Sequence, residues 1–366
     1  ETSMDEFKKR KLVDDVASPI IAILAGLLVG AIVMLLTGTD PLYAYAQMFS
    51  KSFFKPYYLA ETLVRSAPIM LSGVAAAVAW RAGYINLGMQ GQMCVGGLVA
   101  TIMAIYLPMD SWWGTALCFL GGMTAAALFA LIPTYLDYKF NASLIITTLM
   151  LNYAINHVTN YFVAYPMRDP AGDGMAQQSV QIAQSMRFFR FSNKNAMNSS
   201  VFVAVLVVVL MYFVFTKTKF GYESKITGLN KHFAQYGGIK SMKTMFQTMA
   251  LSGALSGFAA CIEIFGVRYR YVNCMFSSTG YAWTGLMAML IAGYNPLLTL
   301  VYSIFLAGLN IGGTALQRTV GVPMQIADII QCCITLFVSV RILHEFKKMH
   351  ANKTPLPVGS RKGGTA

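Results

Sequence analysis

Long apolar runs separated by short polar punctuation dominate the chain. The first extends from about Val16 to Leu36, behind the basic cluster Lys8, Lys9, Arg10 and Lys11. At 1.5 Å per helical residue such a run covers roughly 30 Å, the thickness of a bilayer's hydrocarbon core. Further helical stretches fall near 59–80, 87–107, 112–136, 142–165, 198–216, 242–266, 280–293, 297–317 and 324–344. The pattern predicts an all-α, polytopic transmembrane helix bundle of about ten spans. The eighth stretch stops at Gly293-Tyr294-Asn295-Pro296 and is short for a full crossing. The first run leads into the turn signal Gly38-Thr39-Asp40-Pro41 and not into a small-residue cleavage site, so it reads as a retained helix.

Composition agrees. The chain is 56% hydrophobic and 12% charged, whereas soluble domains carry about a quarter charged residues. A formal net charge of +13 would suggest a nucleic-acid partner for a soluble protein. Here Lys and Arg cluster in short loops between apolar runs, as the positive-inside rule expects, so no nucleic acid is expected. An even number of spans with the N-terminus inside puts both termini in the cytoplasm, and the cytoplasmic side then carries the larger share of basic residues. The expected organisation is a cytoplasmic basic segment at 1–15, a membrane domain at 16–345 and a cytoplasmic tail at 346–366. A cytoplasmic loop at 217–243 and an extracytoplasmic loop at 166–197 interrupt the membrane domain.

Leu71-Ser72-Gly73 and Leu251-Ser252-Gly253 each open a run of small residues. Five spans on each side of the midpoint would orient these segments oppositely, the geometry of an inverted five-plus-five repeat. The alternative is small-residue packing of the kind any membrane bundle uses.

Two segments break the apolar pattern. Arg81-Ala82-Gly83-Tyr84-Ile85-Asn86-Leu87-Gly88-Met89-Gln90-Gly91-Gln92-Met93 sets amides and glycines between apolar runs. Lipid cannot satisfy an irregular backbone, so such a break at membrane depth must face protein or a water-filled cavity. It reads as a pathway-lining or re-entrant element, or as an ordinary cytoplasmic turn. The second segment, within 217–243, is basic and holds a short amphipathic stretch. There Phe233 and Tyr236 share one helical face, and Gly237 and Gly238 end the helix. It suits docking to a cytoplasmic partner, or lying on anionic lipid.

Few ionisable residues fall within the runs. Asp328 and Arg65 lie near ends, and Glu263 is deep enough to need a protein partner. His157 and His232 are isolated. Cys94, Cys118, Cys261, Cys274, Cys332 and Cys333 lack the spacing of metal ligands, so neither metal nor cofactor is expected. No G-x-x-x-x-G-K-Ser/Thr loop, H-E-x-x-H or G-x-S-x-G occurs, so this is not an enzyme by those routes, and ATP hydrolysis would fall to another polypeptide.

At these two breaks the chain resembles ABC importer permeases of the branched-chain amino acid, simple-sugar and nucleoside family. Gly83 to Met93 is similar to the family's N-I-G-x-E-G-Q-M signature, with Gln90 where Glu is common. Gly228, Asn230, Phe233, Ala234, Tyr236, Gly238 and Ile239 match the coupling pattern G-x-N-x-x-A-A-x-Y-x-G-I, with Phe233 where Ala is frequent. Ser252-Gly253-Ala254-Leu255-Ser256-Gly257 resembles the run that follows, and Gly280-Tyr281-Ala282-Trp283-Thr284-Gly285-Leu286 the G-x-G-x-x-G-I lead-in to a later helix. Val322-Pro323 with Ile329-Ile330-Gln331 resembles the nucleoside branch.

The resemblance implies an inner-membrane permease subunit working by alternating access. It also implies a second permease chain, identical or different, a cytoplasmic ABC ATPase and an extracytoplasmic substrate-binding lipoprotein. Gly228, Asn230, Phe233, Ala234, Tyr236, Gly237, Gly238 and Ile239 are the expected ATPase-coupling residues. Asn86, Gln90, Gln92, Asn152, Glu263 and Trp283 are the expected pathway residues. A lining of amides and an aromatic suits a nucleoside or purine-like solute, and also a simple sugar. A stand-alone ion-coupled transporter would need a coupling site that the sequence does not offer. A channel or scaffold would show no saturable uptake.

Overall fold

The structure is a computed structural model. It describes residues 23–36, 38–107, 111–170, 176–191, 195–320 and, within 325–337, all but 327 and 331. The basic N-terminal cluster, Val322, Pro323, Gln331 and the C-terminal tail lie outside the described residues.

Each apolar stretch of the sequence has a helix at its place. In chain order these are α1 (Ile23–Leu36), α2 (Pro41–Phe49), α3 (Pro56–Arg81), α4 (Met89–Tyr106), α5 (Trp112–Phe140) and α6 (Leu144–Ala164). Then come α7 (Ser200–Lys217), α8 (Lys219–Leu229), α9 (Lys231–Tyr236), α10 (Ser241–Glu263), α11 (Met275–Thr279), α12 (Tyr281–Ile291), α13 (Pro296–Val320) and α14 (Asp328–Phe337). Among the described residues six helices are long and apolar enough to cross a membrane: α3, α4, α5, α7, α10 with its π-helical extension Ile264–Arg268, and α13. Helix α6 is long enough, but it carries Asn152, Asn156, His157 and Asn160. Helix α12 has only 11 residues. Helices α2 and α11 have no counterpart in the sequence reading.

Helices α3 and α10 form the centre, and α3 is the more deeply buried. Both owe their position to small side chains, which let backbones approach in a bundle where lipid offers no hydrophobic drive to association. A Cβ on Gly257 of α10 would sit 2.7 Å from the Gly122 carbonyl of α5, and one on Gly96 of α4 would sit 2.7 Å from Gly257 Cα. Three helices therefore meet backbone to backbone at Gly96, Gly122 and Gly257. On the other side of α3, a Cβ on Gly73 would lie 2.8 Å from the Gly285 carbonyl of α12. A second apolar cluster joins α1, α2, α13 and α14 through Met34, Met48, Leu309, Ile330 and Ile334.

The two ends of the bundle differ. At one, α8 packs under the C-terminus of α3, and the Tyr84 hydroxyl donates to the Ser241 carbonyl at the start of α10 (3.0 Å). At the other, the polar stretch after α6 is pinned to the end of α10. Ser179 N–H donates to the Tyr271 carbonyl (2.9 Å), Ile182 N–H to Tyr269 (2.8 Å) and Phe188 N–H to Phe265 (3.1 Å).

Candidate functional site

The break between α3 and α4 folds against α3, α6 and α10. Asn86 Nδ2 donates to Ser252 Oγ of α10 (2.9 Å), and Ser252 Oγ donates to the Ala75 carbonyl of α3 (2.7 Å). Ala75 lies six residues before the end of α3, so the break reaches about 9 Å back along that helix. Its irregular backbone is satisfied by side chains, as apolar surroundings demand. Asn86 Oδ1 accepts from Gly88 N–H (2.9 Å), and Trp80 Nε1 donates to the Asn86 carbonyl (3.2 Å). Asn152 of α6 accepts from Gly91 N–H (2.9 Å) and donates to the Leu87 carbonyl (2.8 Å). Asn86 and Gln92 pair through their amides, at 3.2 Å in both directions.

Asn86, Gln92 and Asn152 are all buried, and these bonds engage their amides. In this conformation they hold the break in place. Gln90 and Trp283 are placed differently. Both are partly exposed, and Trp283 Nε1 donates to Gln90 Oε1 (3.0 Å). Gln90 is the second residue of α4 and Trp283 the third of α12. The contact therefore joins the first turns of two helices that both begin inside the bundle behind a glycine, Gly88 and Gly280, without a side-chain cap. Gly280 has φ +64, which suits the sharp start of α12.

Nearer the opposite end, a chain of charges crosses three helices. The Glu263 carboxylate is fully buried; its Oε1 accepts from Arg268 Nε and from the Tyr281 hydroxyl, both at 3.2 Å. Tyr281 in turn accepts from Arg65 Nη1 (3.2 Å), and Arg65 Nε pairs with Glu61 (3.3 Å). The chain ties α3, α10 and α12 together beside a cavity of about 280 Å³ lined by Glu61, Arg65, Arg268, Asn310 and Arg318. Glu263 Oε1 thus has protein partners, as its depth requires, while Oε2 is buried without a hydrogen-bond partner among the described residues. Sequence reasoning singled out Arg65 and Glu263 but missed Tyr281 and Arg268. Two opposite charges in apolar runs were the available signal.

The basic loop folds as the helix pair α8–α9. Asn230 caps α9 by accepting from Phe233 N–H (3.0 Å). Gly237 and Gly238 end α9, with Gly238 at φ +79. Ile239 N–H returns to the Ala234 carbonyl (2.9 Å). Ala234 is buried against the body, while Leu229, Phe233 and Tyr236 project outward, Tyr236 at 93% exposure. Gly228 touches the break itself: an added Cβ would run into the Arg81 carbonyl, and Gly83 lies against Gly228 Cα. Helix α8 is thus in contact with the segment that leads into α4 and Gln90. Among the described residues no cluster of side chains is suited to hold a metal ion.

Broken helices meeting inside a membrane bundle, linked at one end to a basic helix pair with exposed aromatic side chains, define a membrane permease. The chain belongs to the family described as "Branched-chain amino acid transport system / permease component", which matches residues 58–339. It is 30% identical to the guanosine ABC transporter permease protein NupP of Bacillus subtilis over 91% of this chain and 97% of that protein. The nucleoside ABC transporter permease protein NupB of Lactococcus lactis is 27% identical over 94% and 96%. The glucose ABC transporter permease protein TsgB13 of Haloferax volcanii is 29% identical over 91% and 88%. Like these relatives the chain is a transport subunit and not an enzyme.

Proposed function

We propose that the chain forms half of the pathway of an ATP-driven importer for a nucleoside or purine-like solute. The solute would meet Gln90 and Trp283 where α4 and α12 begin. The observation that carries this reading is the Gln90–Trp283 contact. It presents an aromatic face and an amide between two helix N-termini, and Gln90 Nε2 has no hydrogen-bond partner among the described residues. A base can stack on the indole, and an amide can both donate to and accept from a neutral heterocycle. The guanosine and nucleoside permeases among the relatives support this solute class. The glucose permease keeps a simple sugar as the second reading, because sugars also pair with amides and aromatics.

In this reading the α8–α9 end faces the cytoplasm of a bacterial inner membrane, and the ten helical stretches of the sequence reading are its spans. The 166–197 segment faces outward, toward a substrate-binding lipoprotein. A second permease chain, identical or different, supplies the other half of the pathway. Phe233 and Tyr236 enter a groove of the ABC ATPase. ATPase closure pushes α8, α8 moves the break through Gly228, and the break moves Gln90. The Arg65–Tyr281–Glu263–Arg268 chain sits on the outward side of this site and ties together the helices that must part for the solute to enter.

Replacing Gln90 by Leu removes one neutral hydrogen bond, about 1 kcal/mol. In vesicles holding the assembled transporter the expected outcome is a rise of about fivefold in the apparent KM for uptake. Expression and basal ATPase activity should stay normal. Wild-type kinetics in this variant would remove Gln90 from the site.

A further inference from the structure

A second cavity, of about 440 Å³, opens at the α8–α9 end, and neither Gln90 nor Trp283 lines it. It lies between the C-termini of α3 and α7, helix α8 and the turn joining α12 to α13. Trp80, Arg81, Tyr212, Phe215, Lys225 and Tyr294 line it. Both of its charged residues are cations, and no carboxylate lines it. The Arg81 guanidinium lies 4.8 Å from the centre of the Phe215 ring and reaches the Phe215 carbonyl (3.4 Å), which fixes its position. Lys225 is exposed and has no ion pair among the described residues, whereas Lys219, six residues earlier, pairs with Glu223 (3.6 Å).

We propose that this cavity binds the headgroup of an anionic phospholipid, with the acyl chains lying along the exposed apolar side chains of α7 and α13. Three observations choose that occupant. Two membrane-crossing helices, α3 and α7, end at the cavity and a third, α13, begins there, so it sits at headgroup level. Its walls mix aromatic rings with cations, the combination that membrane interfaces favour. Finally, apolar side chains lead away from it along both neighbouring helices. On α7, Phe202, Leu206, Leu210 and Phe213 are exposed; on α13, Leu297, Leu298 and Val301. A phosphate held by Arg81 and Lys225 would bridge α3 to α8, which Gly228 already joins to the break. The lipid thus staples the coupling helices to the pathway helix.

The inference rests on the reading that this end faces the cytoplasmic leaflet, and its test needs no uptake. The assembled transporter is purified in detergent from bacterial membranes, and its retained lipids are identified by native mass spectrometry. Phosphatidylglycerol or cardiolipin should be retained in preference to phosphatidylethanolamine. Each cation near such a surface contributes about fivefold in binding, so Lys225→Gln should weaken retention by about that factor and Lys225→Glu by more. Lys225→Arg should preserve it. Lys219→Glu, an equal change of net charge outside the cavity, should leave it unchanged.

Retention without headgroup preference, or equal losses from the Lys219 and Lys225 variants, would overturn the proposal. Displacement of the lipid by inorganic phosphate alone would also overturn it, showing a site for a free anion. A second permease chain crosslinking through Phe213→Cys, with no lipid retained, would show that protein covers this face. A wild-type transporter that retains no anionic lipid yet takes up solute normally would sink this proposal alone, and retained lipid beside absent uptake would sink the solute reading alone.

Discussion

Aspartate at both Phe233 and Tyr236 is expected to abolish ATP-driven uptake while leaving the permease folded. The two rings stand 65% and 93% exposed on α9, so neither contributes to the core. The helix beneath them is held independently by the Asn230 cap, the buried Ala234 and the Gly237-Gly238 terminus. Aromatic anchors at the centre of an interface typically cost at least about 2 kcal/mol each when removed. Two of them, replaced by charges that must be desolvated, should weaken ATPase docking by about a thousandfold. Size-exclusion profile and thermal stability of the permease should be unchanged, while the ATPase co-purifies poorly and solute no longer stimulates hydrolysis. Normal co-purification would show that α9 is not the docking element. An Ala234 variant is a poorer probe, because Ala234 faces the body and its replacement would disturb the fold as well.

The second large effect is expected from Asn86→Leu. Asn86 is fully buried, and its amide serves Gly88 N–H, Ser252 Oγ and both ends of Gln92. Leucine has similar bulk and none of these bonds. Each buried polar group left without a partner costs about 1–3 kcal/mol, so the substitution should cost at least about 3 kcal/mol. The protein should fall in yield and melt well below wild type in detergent. Ser252→Ala removes one partner of Asn86 and should cost about 1 kcal/mol. A stable Asn86→Leu protein that binds solute normally would mean the break does not depend on this network.

The membrane helices were legible because bilayer thickness imposes a length and an apolar content that a single sequence displays directly. The break at 83–93 was legible for the converse reason: lipid does not tolerate amides and glycines without a use for them. What each amide does was not legible. Asn86, Gln90, Gln92 and Asn152 look alike as residues, yet only Gln90 projects from the buried network. The difference comes from contacts with Ser252, Asn152 and Trp283, remote in sequence; Gln90 and Trp283 are 193 residues apart. Tyr281 escaped for the same reason, since its partners are two charges brought to it by α3 and α10. Helix α11 escaped because five residues carry no periodicity. The Leu-Ser-Gly echo did land on the two central helices. Ser72 donates to the Tyr281 carbonyl at the start of α12 (2.9 Å), and Ser252 meets the break before α4.

The most direct measurement is uptake by vesicles containing the two permease chains, the ATPase and the binding protein, with ATP on the ATPase side. Radiolabelled guanosine should accumulate only with ATP, saturate, and be competed by other purine nucleosides but not by glucose or ribose. The Gln90→Leu variant should require more solute for half-maximal uptake. Uptake that continues without ATP and follows an ion gradient, or competition by sugars alone, would contradict the assignment.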